Sequence, residues 1–231
     1  MSNQGATVSA IVLAGGRAQR FGGDKLRALL RDGRSILAHA VAATADVADD
    51  VVVVLSPDGD EPDGLAAGVR FVRDPERFGG PIVGLRAGLE AVRGDRVVIV
   101  GGDMPSLVPG VLRRLLDTLD AEDAAHIRPE AAILEAGLGH EAGTGRARQG
   151  NAGQRSEAGP VQTLPSAVRR EAARLAVNAA LDAEDRRLQG LFERLRVSRI
   201  PAAVWMSIDP DGRTLTDVDR PADLPADPAG V

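Results

Sequence analysis

Residues 8–25 decide the fold of this chain, and they read VSAIVLAGGRAQRFGGDK. The run from Val8 to Ala14 is apolar and ends at two glycines, which predicts a buried strand followed by a tight loop. Gly15 and Gly16 would let backbone N–H groups approach a phosphate closely and form an anion-binding nest. We therefore expect a phosphate site where the first strand ends.

Two cations, Arg20 and Lys25, stand in the same loop. Lys25 is the only lysine among the 28 lysine and arginine residues of the chain. Lysine is a compact point charge on a thin stem, whereas arginine is a wide planar fork, so lysine fits better between phosphate oxygens in a narrow pocket. The alternative is a glycine-rich turn with solvated charges. The loop contains neither a Walker A sequence nor a Gly-x-Gly-x-x-Gly dinucleotide loop.

Short β-branched runs alternate with helical patterns through the first half of the chain. Strands are predicted at 8–14, 51–55, 69–72 and 96–100, and helices at 35–45, 81–92 and 109–119. Residues from Pro165 onward read as helix, and 203–206 and 215–218 read as short strands. This alternation, with nearly continuous apolar strands, is typical of a mostly parallel sheet with helices on both faces, so we predict a three-layer α/β fold.

One domain is predicted over residues 1–231. The stretch 136–159 is rich in glycine, alanine and charged residues and has almost no large apolar ones. Such a segment buries too little surface to offset its ordering entropy, so we expect a flexible insertion in the domain. The residues from about 222 onward predict a frayed tail.

The composition argues against several classes of protein. A net charge of −5 and an aromatic fraction of 2% disfavour a nucleic-acid-binding domain, which is usually basic and supplies aromatic stacking platforms. Without cysteine there is no disulfide framework or thiolate zinc site, and the three histidines lack the spacing of metal ligands. No apolar run approaches the roughly 20 residues of a membrane span, and no signal peptide is evident. We expect a cytoplasmic protein without a membrane or nucleic-acid partner.

Carboxylates follow later predicted strands, at Asp74, Asp103 and Asp219. In open parallel sheets, ligands lie beyond the carboxyl ends of the strands. Asp103 is placed to hold a hard cation such as Mg²⁺, which prefers oxygen ligands, and Asp219 could offer a second oxygen. Each aspartate could instead simply form a turn. Together with the cationic loop, these carboxylates predict a site for a nucleoside triphosphate and its Mg²⁺.

Other polar segments have two interpretations. Gly79-Gly80-Pro81 could bring N–H groups to a ligand, or could form a tight turn that starts a helix. Asp74 could accept hydrogen bonds from a base or a sugar. The pairs Arg169-Arg170 and Arg186-Arg187 are predicted to lie on solvated helix faces.

Four motifs, taken in order, resemble those of the molybdenum cofactor guanylyltransferases, a branch of the cofactor and sugar nucleotidyltransferases. They are Leu13-Ala14-Gly15-Gly16 with Arg20, Gly22 and Lys25; Gly79 to Leu85; Gly102-Asp103-Met104-Pro105; and Asp217 to Leu224. The set covers most of the chain. The resemblance implies a Rossmann-like nucleotidyltransferase fold that binds GTP and Mg²⁺, transfers GMP to the terminal phosphate of the molybdopterin cofactor, and releases pyrophosphate.

The resemblance also implies a role for each matching residue. The nucleotide-binding residues would be Leu13, Ala14, Gly15, Gly16, Lys25, Asp74 and Asp103; the catalytic residues Arg20, Lys25 and Asp103; and the metal ligands Asp103 and Asp219. Ala-Gly-Gly in place of Ala-Ala-Gly favours the guanylyl branch over the cytidylyl branch. The chain departs from the family pattern at Ser56-Pro57, where an Asn is frequent, and at Arg220, where a Thr is usual. The insertion lies where the family handles its acceptor.

Two other interpretations stay open at this point. The same chemistry could use CTP, or an acceptor such as a sugar phosphate. A non-catalytic nucleotide-binding module would bind GTP and release no pyrophosphate. If the chain is a guanylyltransferase, its product is expected to pass to a molybdoenzyme or the chaperone of one.

Overall fold

A computed structural model describes residues 7–15, 25–77, 79–122, 126–136, 161–218 and 223. The strands are β1 (Val8–Leu13), β2 (Asp50–Leu55), β3 (Arg70–Arg73), β4 (Arg96–Gly101), β5 (Ala131–Glu135), β6 (Val161–Arg169) and β7 (Val197–Ile200). The helices are α1 (Ile36–Ala45), α2 (Pro81–Ala91), α3 (Pro109–Asp120), α4 (Arg170–Asp182), α5 (Leu188–Phe192) and α6 (Ala202–Trp205). Short 3₁₀ turns cover Lys25–Arg27 and Arg213–Leu215.

The described strands form one sheet in the order β3-β2-β1-β4-β6-β5-β7. Neighbours from β3 to β4 are parallel, β6 is antiparallel to both β4 and β5, and β7 is parallel to β5. Only β6 therefore runs against the others in the described part of the chain. The predicted α/β fold with a mostly parallel sheet is confirmed.

Helices cover both faces of the sheet because successive strand residues point to opposite faces. On β1, Ala10 and Val12 pack with residues of α1, α3 and α6. Ile11, between them, packs on the other face with residues of α2, α4 and α5. Both faces of the central strands are buried, which explains why those strands read as unbroken valine and isoleucine runs.

The first four strands and three helices lie close to their predicted places, whereas several later predictions are wrong. Residues 165–169 belong to strand β6, and the helix starts only at Arg170. Residues 203–206 were predicted as strand but lie in and just after α6, because the fully buried indole of Trp205 anchors a helical turn by donating to the Glu135 carbonyl at 2.9 Å. Strands β5 and β7 were not predicted.

The predicted strand at 215–218 is also wrong. A 3₁₀ turn ends at Leu215, and its start is fixed when the Thr214 amide donates to the buried Asp209 carboxylate at 2.7 Å. Val218 then makes one backbone hydrogen bond, to Asp103, rather than a ladder of them. A turn closed by a side chain competes with strand formation in this segment.

Arg169 and Arg170 are partly buried rather than solvated. Arg186 and Arg187 are exposed, as predicted, but they lie before α5 rather than on a helix. Arg169 donates to the carbonyls of Leu119 and Pro129, and Arg170 donates to the carbonyl of Val92. Arg186 donates to the carboxylate of Glu76 and to the carbonyl of Gly79. These guanidinium groups satisfy backbone carbonyls where helices and strands end, a use that charge spacing alone does not predict.

Two predicted segments fall mainly outside the described residues. Of the insertion at 136–159 only Ala136 is described, and of the tail from about 222 only Asp223. The single-domain organisation stays a prediction. None of the helices in the described ranges combines the length and apolar character needed to cross a membrane.

Candidate active site

The strand order reverses at β1, with β2 and β3 on one side and β4 on the other. At such a point, loops that follow adjacent strands diverge and leave a crevice at their carboxyl ends. Leu13, the last residue of β1, pairs with both Val54 and Gly101, so the loops after β1, β2 and β4 start side by side. The Gly102 amide donates to the Leu13 carbonyl at 2.9 Å and extends this contact past the strand ends.

The ammonium of Lys25 lies in this crevice against Asp103. Its Nζ donates to Asp103 Oδ2 at 2.9 Å and to the carbonyl of Val218 at 2.8 Å. The Lys25 side chain is 14% exposed and that of Asp103 30%. The structure therefore joins the loop after β1, the loop after β4 and the segment ending at Val218 in one polar contact.

A short hairpin carries Lys25 into place. The Ala28 amide donates to the Lys25 carbonyl, and the Ile36 amide donates to the Ala28 carbonyl. Gly33 closes the hairpin with φ of 81°, a conformation that favours glycine. Leu30 and Ile36 then pack on Val218, the same residue whose carbonyl accepts from Lys25.

A buried histidine fastens that hairpin to α1. His39 Nε2 and Asp32 Oδ1 are 3.1 Å apart, and Arg34 Nη2 lies 3.2 Å from His39 Nδ1. Since arginine can only donate, Nδ1 is the acceptor, and the remaining proton on Nε2 points to Asp32. Hydrogen bonds from the Arg34 side chain and amide, with His39 as a smaller contributor, hold the pKa of Asp32 well below its ordinary value. His39 thus has a structural role.

Glycines make room for the Asp103 carboxylate. A Cβ on Gly101 would lie 2.5 Å from Asp103 Oδ1. A Cβ on Gly102 would lie 3.1 Å from Leu37 Cδ1 and 3.3 Å from the Leu13 carbonyl oxygen. The Gly-Gly-Asp order therefore lets the carboxylate lie back over the end of β4 while β1 and β4 stay in close contact.

Asp74 lies at the end of β3, on the other side of β2. Its amide donates to the Leu55 carbonyl at 2.8 Å, and its Oδ1 accepts from the Glu76 amide at 3.0 Å. Partial burial raises the pKa of Asp74, and the Glu76 amide opposes that shift. A Cβ on Gly84 would lie 3.3 Å from Asp74 Oδ2, so the carboxylate rests on the first turns of α2.

The Gly79-Gly80 segment before α2 is a tightly packed turn. Gly80 is the N-cap of α2, with φ of 89°, and a Cβ there would lie 2.9 Å from the Arg186 carbonyl oxygen. Arg186 also donates to the Gly79 carbonyl at 2.9 Å. The turn interpretation of this segment is therefore correct, and no described contact tests its ligand-binding interpretation.

Among the predicted site residues, the structure brings Lys25 and Asp103 into direct contact. Leu13 ends β1, Ala14 and Gly15 follow it directly, and a Cβ on Gly15 would lie 3.5 Å from the Ser56 amide nitrogen. Asp74 stands two strands from β1 along the same edge. Gly16, Arg20 and Asp219 lie outside the described residues.

Sequence reasoning missed the carbonyl of Val218 as a partner of Lys25. The motif Asp217-Val218-Asp219 drew attention to its carboxylates, yet the contact that the structure describes uses the backbone. Arg186, which holds the turn before α2, was missed for a similar reason: beside the Glu76 carboxylate, one of its acceptors there is the Gly79 carbonyl. A backbone carbonyl has no residue type that would mark it in a sequence.

The carboxylate of Asp103 fits a magnesium ion that arrives with phosphates. Mg²⁺ is commonly held by one or two carboxylates together with substrate phosphates and several waters. Within the described ranges, no group of three or more histidine, cysteine or acidic side chains could hold a metal ion. A cage made only of protein ligands is thus not present in that part of the chain, and Asp103 is suited to share a cation with a ligand.

Comparison with known proteins identifies a family. Residues 10–200 match the family model described as MobA-like NTP transferase domain. A protein of Chloroflexus aggregans named probable molybdenum cofactor guanylyltransferase is 30% identical over 219 residues, which cover 94% of this chain and 91% of that protein. The molybdenum cofactor guanylyltransferase of Burkholderia vietnamiensis is 33% identical over 148 residues, covering 57% of this chain and 72% of that protein.

Solved structures agree on the fold. The molybdopterin-guanine dinucleotide biosynthesis protein A of Archaeoglobus fulgidus superposes with a TM-score of 0.65 at 19% identity, covering 94% of each chain. The 2-C-methyl-D-erythritol 4-phosphate cytidylyltransferase of Thermus thermophilus gives 0.62 at 20% identity, covering 94% of this chain and 95% of that one. At these identities the likeness concerns the fold alone.

Proposed function

Because the chain belongs to the MobA-like NTP transferase family, we propose that it transfers GMP from GTP to the terminal phosphate of the molybdopterin cofactor. Two relatives that are 30% and 33% identical to it are named probable molybdenum cofactor guanylyltransferase and molybdenum cofactor guanylyltransferase. The observation that carries the proposal is the contact between Lys25 and Asp103 at the carboxyl edge of the sheet. A cation and a carboxylate held together there suit a triphosphate with its metal ion.

The reaction is a displacement at the α-phosphorus of GTP. An oxygen of the acceptor phosphate attacks, the bond to the oxygen that bridges to the β-phosphate breaks, and pyrophosphate leaves with the electron pair. The attacking oxygen is already anionic, so no general base is required. The protein therefore acts by positioning its substrates and by stabilising charge.

Each residue of the site has a proposed part in that reaction. Lys25, with Arg20 and the backbone amides of Gly15 and Gly16, binds the β- and γ-phosphates and stabilises the leaving pyrophosphate. Asp74 accepts hydrogen bonds from the sugar or base. Asp103 and Asp219 are the residues that would hold Mg²⁺, which when bound neutralises charge on the α-phosphate and the acceptor.

A nucleotide and acceptor panel tests the proposal. The full chain is incubated with GTP, CTP or ATP, the molybdopterin cofactor and Mg²⁺, and the dinucleotide and pyrophosphate are measured by mass spectrometry and a coupled assay. We expect molybdopterin guanine dinucleotide with GTP, little product with CTP or ATP, and none with the Asp103→Asn variant.

Two outcomes would overturn the proposal. Product from CTP but not GTP would make the chain a cytidylyltransferase. GTP binding without pyrophosphate release on the molybdopterin cofactor or a sugar phosphate would make it a non-catalytic module.

We further propose that the enzyme works in the cytoplasm and passes its product to a molybdoenzyme or its chaperone. Co-purification of the dinucleotide with such a partner would test this.

A further inference from the structure

The ammonium of Lys25 is hydrogen-bonded to the Asp103 carboxylate oxygen that a metal ion would need. Lys25 Nζ lies 2.9 Å from Asp103 Oδ2, at hydrogen-bond distance. The same Asp103 has its other oxygen, Oδ1, turned toward Gly101, where a Cβ would be only 2.5 Å away. The structure thus shows Asp103 as one half of an ion pair.

This ion pair is fixed on both sides. Lys25 Nζ also donates to the Val218 carbonyl at 2.8 Å, and the Val218 amide donates to the Asp103 carbonyl at 2.9 Å. The side chain of Val218 is fully buried against Leu30 and Ile36. Surface ion pairs cost side-chain entropy to form, but here the ammonium is largely buried and its position is set by two acceptors on different segments.

A divalent cation on Asp103 would therefore stand beside a fixed positive charge. Like charges a few ångströms apart repel strongly where the surroundings are partly shielded from water. A triphosphate changes that balance, because its oxygens can take both Lys25 and the metal ion. Once the triphosphate is bound, the ammonium and the metal ion, which would otherwise repel each other, both bind to its oxygens.

We propose that Lys25 is a built-in counter-ion that keeps Asp103 from binding a divalent cation until a nucleoside triphosphate draws the ammonium onto its phosphates. The inference rests on the proposed function, since it concerns the same site. It makes metal binding conditional on nucleotide. By linkage, metal and nucleotide each raise the affinity of the protein for the other through this one residue.

A metal titration without nucleotide tests the proposal. Mn²⁺ is titrated into the full-length chain, and bound ion is followed by electron paramagnetic resonance at one fixed pH. We expect weak binding by the unaltered chain and binding about five- to 150-fold tighter by Lys25→Met, the usual range of coupling between two ligands. Lys25→Gln is run beside it, and melting temperatures confirm that each variant is folded.

Two further variants locate the effect. The double variant Lys25→Met with Asp103→Asn should lose the gained Mn²⁺ site. Arg174→Met, which removes the cation of the Arg174–Glu171 ion pair on α4, should leave Mn²⁺ affinity unchanged. That pair lies near the start of α4, directly after β6, and β6 ends beside the start of β4 rather than at the carboxyl edge.

The outcomes separate cleanly. Equal Mn²⁺ affinity for the unaltered chain and both Lys25 variants would overturn the proposal that Lys25 is a counter-ion. A Mn²⁺ site that is gained in Lys25→Met and survives Asp103→Asn would overturn it as well. Because the titration uses neither acceptor nor turnover, its result is independent of whether GMP transfer is observed. The Lys25 variants could bind Mn²⁺ more tightly even if the chain is a cytidylyltransferase, and they could show no change even if it is a guanylyltransferase.

Discussion

Lys25 meets its two acceptors with a single nitrogen, at 2.9 Å from Asp103 Oδ2 and 2.8 Å from the Val218 carbonyl. A guanidinium is wider and planar, so in Lys25→Arg it cannot keep both contacts and present the same charge to a phosphate. We expect Lys25→Arg and Lys25→Ala to lower kcat about 10²- to 10³-fold, the usual cost of losing a donor that stabilises developing charge.

Circular dichroism tests whether each variant is folded, and pyrophosphate release measures its turnover. The fold should survive both substitutions, because the hairpin around Lys25 is held mainly by backbone hydrogen bonds. Arg27→Lys is the matched control, since Arg27 is an exposed neighbour that donates to the Asp60 carbonyl. Normal turnover by Lys25→Arg would contradict the argument from shape.

Gly101 controls where the Asp103 carboxylate can lie. In Gly101→Ala the new Cβ would begin 2.5 Å from Asp103 Oδ1, so the carboxylate must turn away. The obstacle is the end of a side chain, so we expect a modest loss of stability but a large loss of GMP transfer. Steady-state kinetics and thermal unfolding measure the two effects.

Gly190→Ala provides a control of the same kind. A Cβ on Gly190 would also run into an aspartate side chain, that of Asp185, but this residue pairs with Arg187 and Arg194 on the α4–α5 side. We expect similar destabilisation and nearly unchanged turnover. If both alanine variants lose activity equally, the effect of Gly101→Ala comes from stability and not from the carboxylate.

At the scale of elements, Asp50 holds the starts of three strands together. Its carboxylate accepts from Ser9 Oγ at 2.9 Å, from Arg70 Nε at 3.0 Å and from the Arg93 amide at 3.0 Å. Burial by itself would raise the pKa of Asp50, but hydrogen bonds from Arg70, the Arg93 amide and Ser9 outweigh burial and lower it. This network lies at the amino end of β2, opposite the site.

The lowered pKa fixes how Asp50→Asn depends on pH. The folded pKa lies below the unfolded one, so the stabilisation is complete above the unfolded value near 3.9 and disappears as pH falls through the folded value. At pH 7 we expect Asp50→Asn to cost about 1.5–3 kcal/mol, as for other hydrogen bonds to a charged group. Urea unfolding should show that difference shrinking below pH 4.

An exposed ion pair serves as the control for Asp50. Arg77 and Asp58 form a pair in which the side chains are 61% and 64% exposed. Such pairs contribute roughly 0–1 kcal/mol, so Asp58→Asn should change the free energy of unfolding little at either pH. A cost for Asp50→Asn that stays constant from pH 7 to pH 3 would contradict the assigned pKa direction.

The strands and helices from β1 to α3 were predictable from the sequence, because those strands are apolar on one face or on both. The elements after α3 were less predictable. The segment from Pro165 was predicted as helix because its apolar residues recur at helical spacing. In the structure, Pro165 falls where the register of β6 against β5 shifts, between Ser166 opposite Ile133 and Gln162 opposite Leu134. A residue at that register shift does not have to donate a backbone hydrogen bond to β5, so proline, which has no N–H, is tolerated there.

At the scale of the molecule, the sheet order brings the site together. Lys25 and Asp103 are 78 residues apart in sequence, and the contact exists because β4 returns to the side of β1 away from β2. The residue types and their strand-end positions were predictable, since carboxylates and glycines stand out after valine runs. Which strands become neighbours, and that Val218 supplies a carbonyl, depend on long-range packing that a single sequence does not encode in any local pattern.

The composition of the whole chain allows one last test. Lys25 is the only lysine, so amine acylation can reach only this side chain and the N-terminal amine. Acetylation is followed by peptide mass spectrometry, with a lysine-containing reference peptide in the same tube to report reagent activity. If GTP with Mg²⁺ covers Lys25, its acetylation should slow about tenfold at a GTP concentration of ten times Kd, because only the free protein reacts. CTP should protect less than GTP, and an acetylation rate at Lys25 that saturating GTP leaves unchanged would mean that the triphosphate binds elsewhere.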